Sequence, residues 1–419
     1  MKKSQFVVEV EIPDGMLLYN TKNGGLIRLT NSEVRVFNNL TRAEISESHL
    51  AQLLLEYEFI IDDNRNEYKE IVKDHWYVRN QQEYVRYVIA PTTKCNFECT
   101  YCFECGISRK TMSPELCTEV SEFVLRNSEK ASHVDLIWYG GEPLCAEAEI
   151  RQISASLLKD DAFSEKYSAQ MVTNGFLLTK ELVDTLVAAH INMVQITVDG
   201  PDYIHDKKRK LRNGKGTFQT ILGNIINCNE KIDISLKINV DKINKPYLLE
   251  LLDVLASKGL KNKIDIALSP VLSSTNKINS DLLTTQEFAE CETAFYREAL
   301  SRGFNILGLP AAKLGYCESI CKNDYLINAD GNLFACWENI GKFDNNVGSV
   351  LRGKTKNQTR SFFEETIDFG EKKCEECSVF PICLGGCPLQ KLKNGESECR
   401  SIKYNIKDLV RIWYDYYGV

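Results

Sequence analysis

The sequence predicts an α/β protein: a partial (β/α)6 TIM barrel, preceded by a small α+β, winged-helix-like unit and followed by a cysteine-rich segment. Three observations predict it. Between residues 84 and 305, apolar runs of strand length alternate with amphipathic stretches of helix length, which implies parallel strands with crossover helices. The first 82 residues have another texture, with short alternating runs between turn signals. Finally, eight of the 16 cysteines fall after residue 316, where regular patterning fades. The boundaries are drawn at 1–82, 83–310 and 311–419.

Composition narrows the function classes. A 419-residue chain with 43% hydrophobic and 26% charged residues is globular and too long for one ordinary domain. Its formal net charge of −7 argues against a phosphate-binding surface, so nucleic acid is not expected as a partner. No run approaches the ~18 apolar residues that a membrane span needs. The opening "MKKSQFVVEVEIPDG" alternates and carries acids, unlike a signal peptide. A cytoplasmic location is expected, and there clustered cysteines point to metal or catalysis rather than disulfides. The scattered Cys117, Cys145, Cys228 and Cys291, together with Cys105, are read as structural, behaving as small buried hydrophobes.

In the first segment, "QFVVEVEI", "GMLLYNT" and "GGLIRL" read as three short strands separated by "PDG" and "KNGG". "TNSEVRVFNNL" then opens a helix with Asn31 or Ser32 as its cap, and "ESHLAQLLLEYEFII" reads as a helix running into a strand. In the second, the strands are "YVRYVIAPT", "HVDLIWYGG", "AQMVTNG", "NMVQITVDG", "DISLKINV" and "KIDIALSP". Helices are expected over 113–128, 145–159, 179–190, 215–230, 244–258 and 284–302. Six units suit a partial barrel better than a closed one of eight. Ligands should gather at the carboxyl ends of the strands, where "YGGEP", "TNG", "TVDGP" and "LSP" fall.

Directly after the first barrel strand, "TKCNFECTYCFE" sets Cys95, Cys99 and Cys102 in the spacing C-x3-C-x2-C. A tetrahedral zinc site is a competing reading, with Cys105 as a possible fourth ligand. With the barrel and the "GGEP" turn after the second strand, the spacing resembles the radical S-adenosylmethionine (SAM) superfamily. That resemblance implies a [4Fe–4S] cluster held by three cysteines, with SAM chelating the fourth iron. One electron then cleaves the sulfonium, and the 5′-deoxyadenosyl radical abstracts a substrate hydrogen. A fourth cysteine would shut out the molecule that must receive the electron. By the same resemblance, Tyr101 packs beside adenine, and Gly140, Gly141, Glu142 and Pro143 form the turn that receives the SAM ammonium. Thr197 and Arg209, in "TVDGPDYIHDKKR", match SAM-contacting positions, as does Leu268 more weakly. The lysines of "DKKRK" read as an ordinary solvated run.

The last segment contains C-x3-C-x9-G-x4-C from Cys317, then C-x2-C-x5-C-x3-C from Cys374 to Cys387, then Cys399. Paired zinc knuckles are the rival reading. The string resembles the SPASM domain appended to radical SAM enzymes that act on peptides. This implies one auxiliary [4Fe–4S] cluster on Cys317, Cys321, Cys336 and Cys387, and a second on Cys374, Cys377, Cys383 and Cys399. The count of clusters becomes three. Cys317 lies close to Cys321 for the pattern; without it, the nearer cluster would keep an open iron. Relatives that oxidise a sulfatase residue to formylglycine carry Asp right after the third cysteine of this string. Here Trp337 and then Glu338 follow Cys336, which counts against that activity and leaves Glu338 as a candidate base, though an exposed loop acid is the plainer reading.

The first segment is similar to leader-binding elements of ribosomally made peptide pathways, which take an extended leader as an added strand. The expectation is a radical SAM/SPASM peptide maturase forming a thioether or other side-chain cross-link. Its partners would be a precursor peptide and a reductant protein such as flavodoxin or ferredoxin. A sulfatase-maturating enzyme and a non-catalytic iron–sulfur electron carrier are the alternatives.

Overall fold

A computed structural model of the chain describes residues 1–39, 49–272, 281–306, 308–312, 314–315, 317–355, 363 and 372–418. The six expected barrel strands form as Tyr84–Ile89, His133–Trp138, Tyr167–Thr173, Ile191–Thr197, Asp233–Val240 and Asp265–Pro270. They lie side by side in chain order, all parallel. Helices Pro114–Asn127, Glu147–Leu157, Lys180–Ala188, Phe218–Cys228, Leu248–Ser257 and Thr285–Ser301 fill the six expected intervals.

The reason is visible in the fifth strand. Ile234, Leu236, Ile238 and Val240 are buried, whereas Lys237 and Asn239 line the cavity described below. One strand face meets the core and the other meets the lumen, as a period of two requires.

The sheet runs beyond six strands. Asn305–Ile306 pairs with Asp265–Pro270 at one edge, in parallel. At the other, Tyr325–Ile327 from the cysteine-rich segment pairs in parallel with the first barrel strand, then turns back through Asn332–Phe334, Asn346–Ser349 and Gly353–Lys354. The cysteine-rich segment therefore extends the barrel sheet, and its Ile327, Leu333, Val347 and Ile382 join the barrel core. That supplies the apolar burial which the segment lacks on its own.

The amino-terminal strands Val7–Ile12, Gly15–Asn20 and Leu26–Thr30 form an antiparallel sheet with Leu26–Thr30 at one edge. Helix Asn31–Asn39 follows, and its cap is Thr30 rather than Asn31 or Ser32. The Glu33 carboxylate accepts from Thr30 N at 2.8 Å and from Thr30 Oγ1 at 2.7 Å, tying the first turn back on itself. The next helix is described from His49, so Glu47 and Ser48 of its expected start lie outside the described residues. Helix Glu67–Asn80, not anticipated from the sequence, is capped by Asn66, whose side chain accepts from Lys69 N.

This module stands on the cysteine-rich segment. Phe6 and Ile71 pack with Phe380 and Leu384, and the Tyr68 and Phe380 rings are 4.7 Å apart. Thr21 Oγ1 donates to Ser378 O, and Gln5 Nε2 to Glu375 O at 3.0 Å. Among the described residues, no helix is long and apolar enough to cross a membrane.

Candidate active site

At the carboxyl ends of the barrel strands lies a cavity of about 290 Å³. Its wall includes Cys95, Cys99, Cys102, Tyr101, Gly140, Gly141, Glu142, Thr197 and Arg209, which the sequence placed in one site, and also Glu338. Pro143 and Leu268 are not on this wall. Pro143 is buried at the start of the one-turn helix Pro143–Ala146, and Leu268 faces a neighbouring cavity.

The glycines of "GGEP" are required by the cysteine loop. Gly140 has φ +110°, and a Cβ there would sit 2.4 Å from Thr92 O; a Cβ on Gly141 would sit 2.5 Å from Lys94 O. Gly141 N and Glu142 N donate to those same two carbonyls, at 3.1 and 2.9 Å. The second strand's end is thus clamped to the residues that lead into Cys95.

Glu142 is buried, with its carboxylate accepting from Thr173 Oγ1 at 2.7 Å, Asn174 N at 2.7 Å and Leu144 N at 3.0 Å. Burial raises its pKa, and these three donors work against that rise. Its first task is to join the second and third strand ends.

A short ribbon covers the other side. Phe97–Cys99 pairs antiparallel with Arg209–Leu211, setting Arg209 opposite Cys99. Tyr101 follows and joins three elements: its hydroxyl bonds to Asp199, accepts from Arg209 Nη1 at 2.7 Å and from Asn239 Nδ2 at 3.2 Å. Arg209 is buried and its Nε has no partner. The segment before it forms helix Asp202–Lys208, so the expectation of a solvated lysine run is corrected at Lys208. That side chain is 4% exposed and pairs with buried Asp241 at 2.5 Å. An unpaired ammonium could not stay there; Asp241, 33 residues on, makes it possible.

Burial pushes the thiols of Cys95 and Cys102 up to about 12, with Cys99 also raised. Thiolates so placed need a cation, and sulfur ligands suit an iron–sulfur cluster. Cys105, the possible fourth ligand of a zinc site, is exposed and outside the cavity. Among the described residues, no three His, Cys, Asp or Glu side chains converge on a single metal ion. The three thiols line one cavity, and three sulfur donors of this kind suit an iron–sulfur centre.

Two further thiol groups form in the cysteine-rich segment. Burial raises the thiol pKa values of Cys317, Cys321 and Cys336, and neighbouring thiols add to this: Cys387 acts on Cys317 and Cys336, and Cys317 acts on Cys321 and Cys336. Cys374, Cys377, Cys383 and Cys399 line a cavity of about 170 Å³, where Lys403 Nζ reaches Cys377 Sγ at 3.3 Å. Of the cysteines read as structural, Cys117, Cys228 and Cys291 are buried, but Cys105 and Cys145 are exposed. Cys105 follows the cluster loop into solvent, and Cys145 is on the outer side of a single helical turn.

Glu338 is not the exposed loop acid that it resembled. It faces the cavity, and Lys393 Nζ pairs with it at 3.4 Å. Neighbouring Trp337 tilts against Tyr139 at 4.5 Å.

Sequence reasoning missed Glu104, Lys237 and Asn239 on the same wall. Burial pushes the Glu104 carboxyl up to about 7, and its Oε2 has no partner. For Lys237 and Asn239 a signal existed: "SLKIN" places polar residues at every second position of an otherwise apolar strand.

Residues 89–255 match the model of the Radical SAM superfamily. A cysteine-type anaerobic sulfatase-maturating enzyme of Clostridium novyi is 21% identical over 351 residues, covering 74% of this chain and 91% of that protein. A Synechocystis protein is 30% identical over 147 residues, 33% of this chain, and the match spans only 36% of its own length. Among solved structures, native anSMEcpe with bound AdoMet has a TM-score of 0.62 at 17% identity, covering 79% of this chain and 97% of that one. Streptococcus suis SuiB bound to precursor peptide SuiA has a TM-score of 0.53 at 15% identity, covering 96% of this chain and 98% of that one. Both share this chain's fold. The chain carries a radical SAM domain.

Proposed function

We propose that this chain is a radical SAM enzyme that modifies a ribosomally made precursor peptide, joining two of its side chains, with a thioether as the favoured product. The observation that carries this reading is how far the fold likeness extends. It covers 79% of the chain for the sulfatase maturase but 96% for the protein seen with a precursor peptide.

A [4Fe–4S] cluster on Cys95, Cys99 and Cys102, with SAM at its open iron, would supply a 5′-deoxyadenosyl radical that takes one hydrogen atom from the peptide. The chain's own groups set the stage. Glu142 and the two glycines fix the cysteine loop, Tyr101 and Arg209 close the ribbon over it, and Thr197, on the cavity wall, would face the coenzyme. When a peptide thiol closes on the carbon radical, one proton and one electron must leave. Glu338, on the cavity wall and paired with Lys393, would accept the proton at its carboxylate. Cys317, Cys321, Cys336 and Cys387, and likewise Cys374, Cys377, Cys383 and Cys399, would hold auxiliary clusters that take the electron. The edge of Leu26–Thr30, which no other described strand covers, would receive the leader as a fourth strand, using main-chain hydrogen bonds. Flavodoxin or ferredoxin would supply the starting electron.

Reconstituted protein, given SAM, reductant and the precursor encoded beside it, should yield a peptide lighter by two hydrogen atoms. An unchanged peptide mass, with deoxyadenosine still released, would reject the cross-link.

Sulfatase maturation remains a second reading, favoured by the match along 74% of the chain. Trp337 in place of the acid after Cys336 speaks against it. Conversion of a sulfatase-derived cysteine peptide to an aldehyde would decide for it.

A further inference from the structure

Other buried carboxylates of this chain are supplied with donors. Glu67 accepts from Ser4 Oγ at 2.7 Å and from Gln5 N at 2.9 Å, Glu142 accepts three hydrogen bonds, and Asp241 pairs with Lys208. Glu104 departs from this. It lines the barrel cavity, and its Oε2 is buried without a partner. Its pKa is raised by desolvation alone, with no cation of the described residues opposing the rise. Arg209 and Lys237 share the cavity, but Asp199 acts on both of them.

The surroundings of Glu104 are acidic and aromatic. Burial, and then the charges of Glu104, Cys102, Glu338 and Cys336, hold the Tyr139 hydroxyl well above its usual range. Trp337 packs on Tyr139 with ring centres 4.5 Å apart, and its own buried Nε1 has no partner. Glu338 is paired, with Lys393, whose side chain is not on the wall. This side of the cavity lies away from Thr197 and Lys237. Glu104 follows the first barrel strand, Tyr139 the second, and Trp337 the strand Asn332–Phe334, whereas Thr197 and Lys237 are on the fourth and fifth, beyond the third.

We propose that Glu104, with the Tyr139 and Trp337 rings, forms a subsite for the cationic side chain of a lysine or arginine in the substrate. A carboxylate beside aromatic faces draws a cation by its charge and by the ring quadrupoles, and more strongly where water is excluded. An acid that served only the fold would not be left buried and unpaired. That the cation belongs to a peptide rests on the proposed function; that a cation is wanted rests on the wall itself.

Equilibrium dialysis of reconstituted holoenzyme, with saturating SAM and again without it, tests the subsite. The probes are acetyl-Gly-Lys-Gly-amide, its arginine counterpart and its norleucine counterpart, which is of similar length but uncharged. With SAM present, a cationic peptide should bind at least tenfold more tightly than the norleucine one, as a charge-assisted hydrogen bond provides, and Glu104→Gln should remove that advantage. Equal binding of all three by wild type overturns the subsite, whether or not the variant folds. So does a preference that survives Glu104→Gln, because the chain's overall negative charge would then account for it. A preference seen only without SAM also overturns it, because the cation would be the coenzyme's. The outcomes separate the two readings. A preference that depends on Glu104, with no cross-linked precursor, keeps the subsite and rejects the cross-link; cross-linking without the preference does the reverse.

Discussion

The barrel mouth and the cysteine-rich segment both gather thiols, but they hold them by different means. At the mouth, the residues around Cys95 are fixed by the protein itself. Glu142 takes three donors, Tyr101 joins three elements, and the glycines lock two carbonyls. Around Cys374, Cys377 and Cys383 the described residues form a one-turn helix Lys372–Cys374, the four-residue helix Phe380–Cys383 and short turns, with Lys403 of helix Ile402–Tyr417 beside them. The first site is held in place by the protein's own bonds, whereas the second would draw more of its shape from the auxiliary cluster proposed for it.

The largest effect expected from this contrast is on metal removal. Chelation of all iron should leave the barrel helices in place, while residues 372–418 become open to protease. Limited proteolysis read by mass spectrometry checks this, and uniform digestion of both regions would erase the distinction. A smaller effect tests the seat alone. Gly141→Ala forces a Cβ against Lys94 O and should cost about 2–4 kcal/mol, read as a lower melting temperature even in iron-free protein. A variant as stable as wild type would mean that the clamp is loose.

The smallest effect concerns the junction with the amino-terminal module. His75, on Glu67–Asn80, accepts from Gly315 N at 3.1 Å, and burial, assisted by Arg79, lowers its pKa to about 4. Its folded value is below the unfolded one near 6.5, so the unfolded state binds the proton first as pH falls. Stability is therefore intact above about pH 6.5 and declines toward pH 4, by about 2 kcal/mol between pH 7 and pH 5. His75→Gln should flatten that slope in a melting series; an identical slope would assign the acid sensitivity to other groups.

How much of this was legible in the sequence depended on range. The strands and helix intervals followed from local period, and the gathering of Cys95, Tyr101, Glu142, Thr197 and Arg209 followed from the family resemblance that the cysteine spacing and the "GGEP" turn carry. The ribbon that pairs Cys99 with Arg209 was hidden, because three-residue strands carry no periodic signal. Lys208 looked solvated because its partner Asp241 lies in another loop, and a charge's burial depends on that partner. Glu338 was misjudged for a related reason: the walls that enclose it come from the barrel, more than 60 residues upstream. The cysteine-rich segment's strands were unseen because they complete a sheet begun elsewhere.

The contact of Phe6 and Ile71 with Phe380 and Leu384 has a practical consequence. The module that would grasp the substrate's leader rests on the loop that would hold the second proposed auxiliary cluster. If that cluster is there, damage by air would be felt first as failure to capture substrate, before any chemistry at the barrel falters.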